Sequence, residues 1–87
     1  MKAIRFTASW CGPCKIYKPI WEKVSEELKD TGIDFKTVDI DSDISGLAAQ
    51  YRVKSIPTTV IVSPEGTIIK TGLVQEDKLK ELLDFND

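Results

Sequence analysis

The sequence predicts an α/β chain with a four-stranded mixed sheet and helices on both faces. Three observations carry that prediction. Alternating or β-branched stretches occur at the start, near residue 35 and after residue 57, and stretches with helical spacing separate them. Pro64-Glu65-Gly66 then makes a tight turn between the last two strand-like stretches. Strands joined through a helix run parallel with a right-handed crossover, and strands joined by a tight turn run antiparallel.

The elements follow in the order βαβαββα. Lys2 to Ala8 reads as the first strand, with Ile4, Phe6 and Ala8 alternating against Ala3, Arg5 and Thr7. A helix is expected from Pro13 to Lys29, with Ile16, Ile20, Trp21, Val24 and Leu28 as its apolar face. Pro19 lies inside it and predicts a kink, and Gly32 marks its end. Ile33 to Ile40 is the second strand, with Phe35 and Val38 pointing to core. Asp41 or Ser42 is the expected cap of a short helix carrying Ile44, Leu47, Ala48 and Tyr51. Thr58 to Ser63 and Thr67 to Lys70 form the closing hairpin. After Gly72, a last helix is expected from Glu76 to Phe85, with Leu79, Leu82 and Leu83 inward.

Bulk properties bound the function. The 87 residues suit one domain, 1–87, without repeats or linkers. A hydrophobic share of 41% and a charged share of 30% exclude both a disordered tail and a membrane protein. The net charge is −2, and the 12 basic and 14 acidic residues are interspersed. Nucleic acid needs clustered Lys and Arg to displace counterions, so it is not an expected partner. Met1 to Phe6 has no apolar stretch before its second charge and does not read as a secretory signal. The expectation is a cytoplasmic monomer.

Chemistry concentrates in Cys11-Gly12-Pro13-Cys14, which holds both cysteines of a chain without histidine. The motif falls where a strand ends and a helix begins. Unpaired N–H groups and the positive end of the helix dipole stabilise a thiolate there. Pro13 suits the first helical turn, Gly12 is expected to allow a tight bend between the sulfurs, and Cys11 is expected at an exposed lip with Cys14 shielded behind it. Lowering a thiol pKa from about 8.5 to about 7 raises its ionised fraction ~16-fold at neutral pH. Falling nucleophilicity takes back ~5-fold, which leaves ~3-fold in attack and a larger benefit when that sulfur leaves. Two other uses of the pair compete. A four-residue loop removes too little chain entropy to make a good staple. Zinc would need more N or S ligands than the chain offers without a second subunit. Disulfide exchange is the favoured reading, with no metal and no bound cofactor.

Trp10-Cys11-Gly12-Pro13-Cys14-Lys15 resembles the active-site string of the thioredoxin family. Pro19, Val38-Asp39-Ile40-Asp41, Ile56-Pro57-Thr58 and Gly72 match further family features in the right order, so the resemblance spans essentially the whole chain. It implies the minimal thioredoxin-like fold with strand order 2-1-3-4. It also implies Cys11 as nucleophile and Cys14 as resolving thiol, a cis Pro57 opposite them, and a substrate groove shaped by Trp10, Gly12, Pro13, Ile56, Pro57 and Gly72. The implied partners are disulfide-bearing proteins and an external electron donor such as a thioredoxin reductase.

The chain also departs from the family. Typical members carry an extra strand and helix before the first strand here, which brings this architecture closer to the shorter glutaredoxin form. At the places of the family's buried Asp before the motif and Lys on the neighbouring strand, this sequence has Arg5 and Thr37. Arg5 cannot act as a base near neutral pH, but it can lower the Cys14 pKa electrostatically. Asp39 is its expected ion-pair partner; the alternative is an Arg5 that reaches out to solvent. Three further functional readings compete: a glutathione-dependent reductant, a binding module that uses the same groove without chemistry, and a metal-bridged dimer. Tyr17 is expected at the surface or in the groove, and Trp21 in the core.

Overall fold

A computed structural model describes residues 1–83 of the chain. The elements are β1 (Lys2–Thr7), α1 (Gly12–Glu27), β2 (Asp34–Asp39), α2 (Leu47–Gln50), β3 (Thr58–Ser63), β4 (Gly66–Thr71) and α3 (Glu76–Leu83). The expected end of α3 at Phe85 lies outside the described residues. The four strands form one sheet in the order β2-β1-β3-β4. β1 pairs parallel with β2 and antiparallel with β3, and β3 pairs antiparallel with β4.

β1 is central, and its sequence reflects that. Ala3, Ile4, Arg5 and Phe6 are all buried, because helices cover both faces of the sheet. Ala3 and Ile61 face α1 and α3, where they pack with Tyr17, Trp21, Val24, Leu79 and Leu83. Ile4, Phe6, Val38 and Val60 face the other way, beneath the half-buried Leu47, Ala48 and Tyr51. Trp21 fixes the first layer through edge-on contacts to Phe35 at 5.6 Å and Tyr17 at 6.1 Å between ring centroids.

The structure revises several local expectations. The inner face of α1 is Cys14, Tyr17, Trp21 and Val24; Tyr17 is fully buried and Ile16 is 63% exposed. At 100° per residue, Ile16 lies about 140° around the helix from Trp21, on the solvent side. The helix runs on through Pro19, which is exposed and leaves the Lys15 carbonyl without its intrahelical donor.

Asp41 and Ser42 belong to a separate 3-10 turn over residues 40–42, which Asp39 caps by accepting from the Asp41 N–H at 2.9 Å. The carboxylate that starts α2 belongs to Asp43. Its two oxygens accept from the N–H groups of Leu47 at 3.0 Å and Ala48 at 2.8 Å. Ile44 therefore lies before α2 and is 99% exposed, contrary to its expected place on that helix.

Candidate active site

The path from β1 into α1 builds the site. After β1 the chain turns at Ser9-Trp10, and the Cys11 N–H donates to the Ala8 carbonyl at 3.2 Å. Cys11 is the N-cap of α1, in extended backbone, and its Sγ accepts from the Cys14 N–H at 3.2 Å. The sulfur thus stands where a Ser or Asp oxygen would normally cap a helix. Cys11 and Cys14 form a disulfide with 5.2 Å between their Cα atoms. Pro13 stays in the first turn, where its missing N–H leaves no bond unmade.

Two expectations about this turn change. Gly12 has no positive φ, and a Cβ placed there would meet nothing within 4 Å. Neither a bend nor close packing demands glycine at that position. Cys11 is no open lip either: it is 5% exposed, against 1% for Cys14. Ala8, Ile40 and Ile56 pack around the pair. Cys11 remains the more accessible of the two residues, by a narrow margin.

The opposite wall comes from residues before β3. The Ile56–Pro57 peptide bond is cis, and Pro57 is fully buried. The Pro57 carbonyl accepts from the Gly72 N–H at 2.8 Å, and Gly72 has φ +86°, a conformation that favours glycine. That bond ties the turn after β4 to the segment carrying Ile56. Trp10 is 65% exposed, and its indole N–H donates to Asp41 Oδ2 at 2.8 Å. Trp10, Ile40, Ala48, Val53 and Ile56 line a largely apolar concavity of about 380 Å³. Ile40 and Ile56 also pack against the cysteine cluster, so these two side chains stand between the concavity and the disulfide. Asp41 is a site residue that the sequence offered as a helix cap and within the Val38–Asp41 match, not as a partner of Trp10. An indole N–H at an exposed strand end, needing an acceptor, was the available signal.

Behind Cys14 the surroundings are polar. Arg5, Thr7, Ser9, Cys14, Lys18 and Asp39 are among the residues around a second concavity, of about 360 Å³. Arg5 is 6% exposed, so most of it is shielded from solvent. Its expected ion pair with Asp39 is also not formed. Asp39 lies opposite Thr7 in the register and spends its carboxylate on the 3-10 turn, whereas Arg5 lies opposite Thr37 and donates to Thr37 Oγ1 at 3.5 Å. Burial pushes the Arg5 pKa below its usual value, and Glu22 and Tyr17 act the other way. Tyr17, one turn along α1 from Cys14, is hydrogen-bonded through its hydroxyl to Thr59 Oγ1 at 2.6 Å. Burial pushes its pKa up, and the Thr59 bond and Arg5 partly offset that.

Among the described residues no group of three or more Cys, His, Asp or Glu side chains is placed to hold a metal, and no helix is long and apolar enough to cross a membrane.

Comparison with known proteins is consistent across sequence and structure. A family model described as Thioredoxin matches residues 2–85. The chain is similar to a thioredoxin of Mycoplasmoides gallisepticum, at 40% identity over 82 residues, 92% of this chain and 78% of that protein. A thioredoxin of Borreliella burgdorferi is 36% identical over 81 residues, 92% of this chain and 68% of that protein. Among solved structures, chloroplastic thioredoxin z superposes with a TM-score of 0.81 at 26% identity, covering 94% of this chain and 74% of its own. A thioredoxin-2 of the malaria parasite gives 0.85 at 25% identity, covering 97% and 81%.

Proposed function

The chain belongs to the thioredoxin family, and on that premise we propose that it reduces disulfides in proteins through Cys11 and Cys14. The Cys11 thiolate attacks one sulfur of the substrate disulfide, and the other substrate sulfur leaves with a proton. Cys14 loses its proton and attacks Cys11 in the mixed disulfide, and the second substrate thiol departs. Two electrons have then passed to the substrate, and the protein is left with its Cys11–Cys14 bond. An external thiol donor, such as a thioredoxin reductase, restores the dithiol, and the cytosol is the compartment this cycle suits.

The observation that carries the reading is the disulfide at the start of α1, its Cys11 sulfur held by a helix N–H and bordered by the Trp10–Ile56 concavity. A helix N-terminus favours the thiolate both as attacking and as leaving sulfur. The concavity suits an extended segment of a partner protein, with the Ile56 backbone pairing to it as an added strand would.

The test is reduction of a protein disulfide driven by NADPH and a thioredoxin reductase. Cys11→Ser is expected to reduce turnover to background, and Cys14→Ser to accumulate a mixed disulfide with the substrate. Recycling by glutathione in place of the reductase would move the protein to the glutathione-dependent class. Unchanged cellular function in the double serine variant would make it a binding module.

A further inference from the structure

Arg5 is a buried charge that neither the fold nor the exchange cycle uses. Its Nε is fully buried without a hydrogen-bond partner, and its one side-chain bond, to Thr37, is long at 3.5 Å. Among the described residues no carboxylate lies within ion-pairing distance of it. The ion pairs among the described residues link α1 to α3, lie within α3, or join Glu26 near the end of α1 to Lys29 just beyond it. An unpaired buried cation is costly, and it makes sense where an anion arrives in another state of the protein. Cys14 lines the same concavity as Arg5 and is 1% exposed. In the disulfide its sulfur is neutral; after reduction it can become a thiolate.

We propose that Arg5 is the resident counter-cation of the Cys14 thiolate, a positioning residue that stabilises the reduced protein and eases the resolving attack. This rests on the redox reading above. Reduction breaks the Cys11–Cys14 bond with two electrons from a dithiol donor, whose own sulfurs join. The two protons released by the donor go to the protein sulfurs or, where a thiolate persists, to solvent. Arg5 shifts Cys14 toward the second outcome without itself exchanging a proton.

The other groups around Cys14 do not supply this role. Lys15 and Lys18 of α1 border the concavity with the same sign of charge but are exposed, and Asp39 of β2 opposes them. Tyr17 is neutral and bound to Thr59, the residue opposite Arg5 on β3. Glu22 of α1 is exposed. The Cys11 thiolate opposes a second charge in the free dithiol but not in the mixed disulfide, where Cys14 titrates alone.

An opposite charge nearby lowers a pKa by about one to three units. A one-unit drop leaves the redox equilibrium almost unchanged well below the thiol range. Above it the same drop favours the reduced form by up to ~10-fold, or ~30 mV. The experiment is the redox equilibrium of wild type, Arg5→Met and Arg5→Lys against glutathione or dithiothreitol, from about pH 6 to about pH 9.5. The wild-type to Arg5→Met ratio is expected near one at the acid end and to rise toward ~10-fold at the alkaline end. Arg5→Lys should stay close to wild type. A ratio of one throughout, or an offset that does not vary with pH, overturns the assignment and leaves the redox reading intact. A wild type that equilibrates with neither couple removes both. Should Arg5→Met not fold, the single thiol of Cys11→Ser is titrated with Arg5 and with Arg5→Gln, two forms that share the same helix terminus. The thiol is expected to ionise at lower pH in the form that keeps Arg5; equal ionisation in the two overturns the proposal.

Discussion

Along α1, the later turns bury Trp21 and Val24 among apolar neighbours, whereas the first turns bury Cys14 and Tyr17 beside Arg5 and Thr59. The apolar half is closed on its outside by ion pairs between α1 and α3, Lys23 to Glu76 at 3.0 Å and Lys80 to Glu27, and Lys80 also donates to Glu76 within α3 at 3.0 Å. The site half has polar side chains inside and exposed apolar ones, Trp10 and Ile16, outside. Burial of apolar area is cheap to arrange and tolerant of detail. Buried polar groups must be matched one by one, and a mismatch such as the Arg5 Nε signals a function.

The contrast breaks most readily at Trp21. Replacing it with Ala removes both edge-on aromatic contacts and leaves a cavity between α1 and the sheet. The expected loss is about 3–5 kcal/mol of unfolding free energy, a large part of what so small a chain can have. Denaturant titration checks it. The thiols of whatever fraction remains folded should keep their wild-type reactivity, because Trp21 touches neither sulfur cluster nor groove. A change in thiol ionisation in that folded fraction would mean that the two halves are coupled.

That division also explains what the sequence made legible. Pairing directions and the position of the Cys pair follow from alternation, connection length and the junction at Trp10–Pro13, and the strand order from the family resemblance; all of them agree with the structure. The apolar half of α1 was legible through Trp21 and Val24. The site half was not, because Ile16 is more hydrophobic than Tyr17 and a hydrophobicity count prefers it. Stepping back from Trp21 by four residues and then three, the spacing of one helix face, reaches Tyr17 and Cys14 and would have found the inner face. The stretch Asp39-Ile-Asp-Ser-Asp43 offers three carboxylates as caps, and only the tertiary fold chooses Asp39 for one turn and Asp43 for the next. Arg5 was legible as an oddity, but its missing ion partner was not, since the register that puts Thr37 beside it depends on the whole β1–β2 pair.

Tyr17 sharpens the polar side of the comparison with a smaller effect. Tyr17→Phe leaves the fully buried Thr59 hydroxyl without its partner and should cost about 1–3 kcal/mol. Pairing it with Thr59→Val removes both halves of the bond and should recover most of that loss; no recovery would mean the hydroxyls do more than satisfy each other. The pH dependence has a definite sign. Burial raises the Tyr17 pKa above its unfolded value of 10.0, so the folded protein favours the neutral phenol. The stabilisation is complete below that value and is lost as pH rises through the folded-state pKa. Thermal melts of wild type and Tyr17→Phe should therefore converge at strongly alkaline pH.

The smallest expected effect belongs to the ion pairs that close the apolar half. Hydrogen bonds from Lys23 and Lys80 hold the Glu76 carboxyl below its usual value of 4.5, so its contribution is present above that value and is lost as pH falls through the lower folded-state one. Glu76→Gln should lower the melting temperature slightly near neutral pH, less in added salt, and not at all near about pH 2, where wild type has lost the same charge. At any one pH and salt concentration, Glu76→Gln should leave the redox equilibrium of Cys11 and Cys14 as in wild type, because Glu76 sits against the α1 turns that carry Lys23 and Glu27, beyond the turns that carry the sulfurs. If the substitution did move that equilibrium, α1 would have to be transmitting strain along its length. The separation of its apolar and polar halves would then be one of composition only.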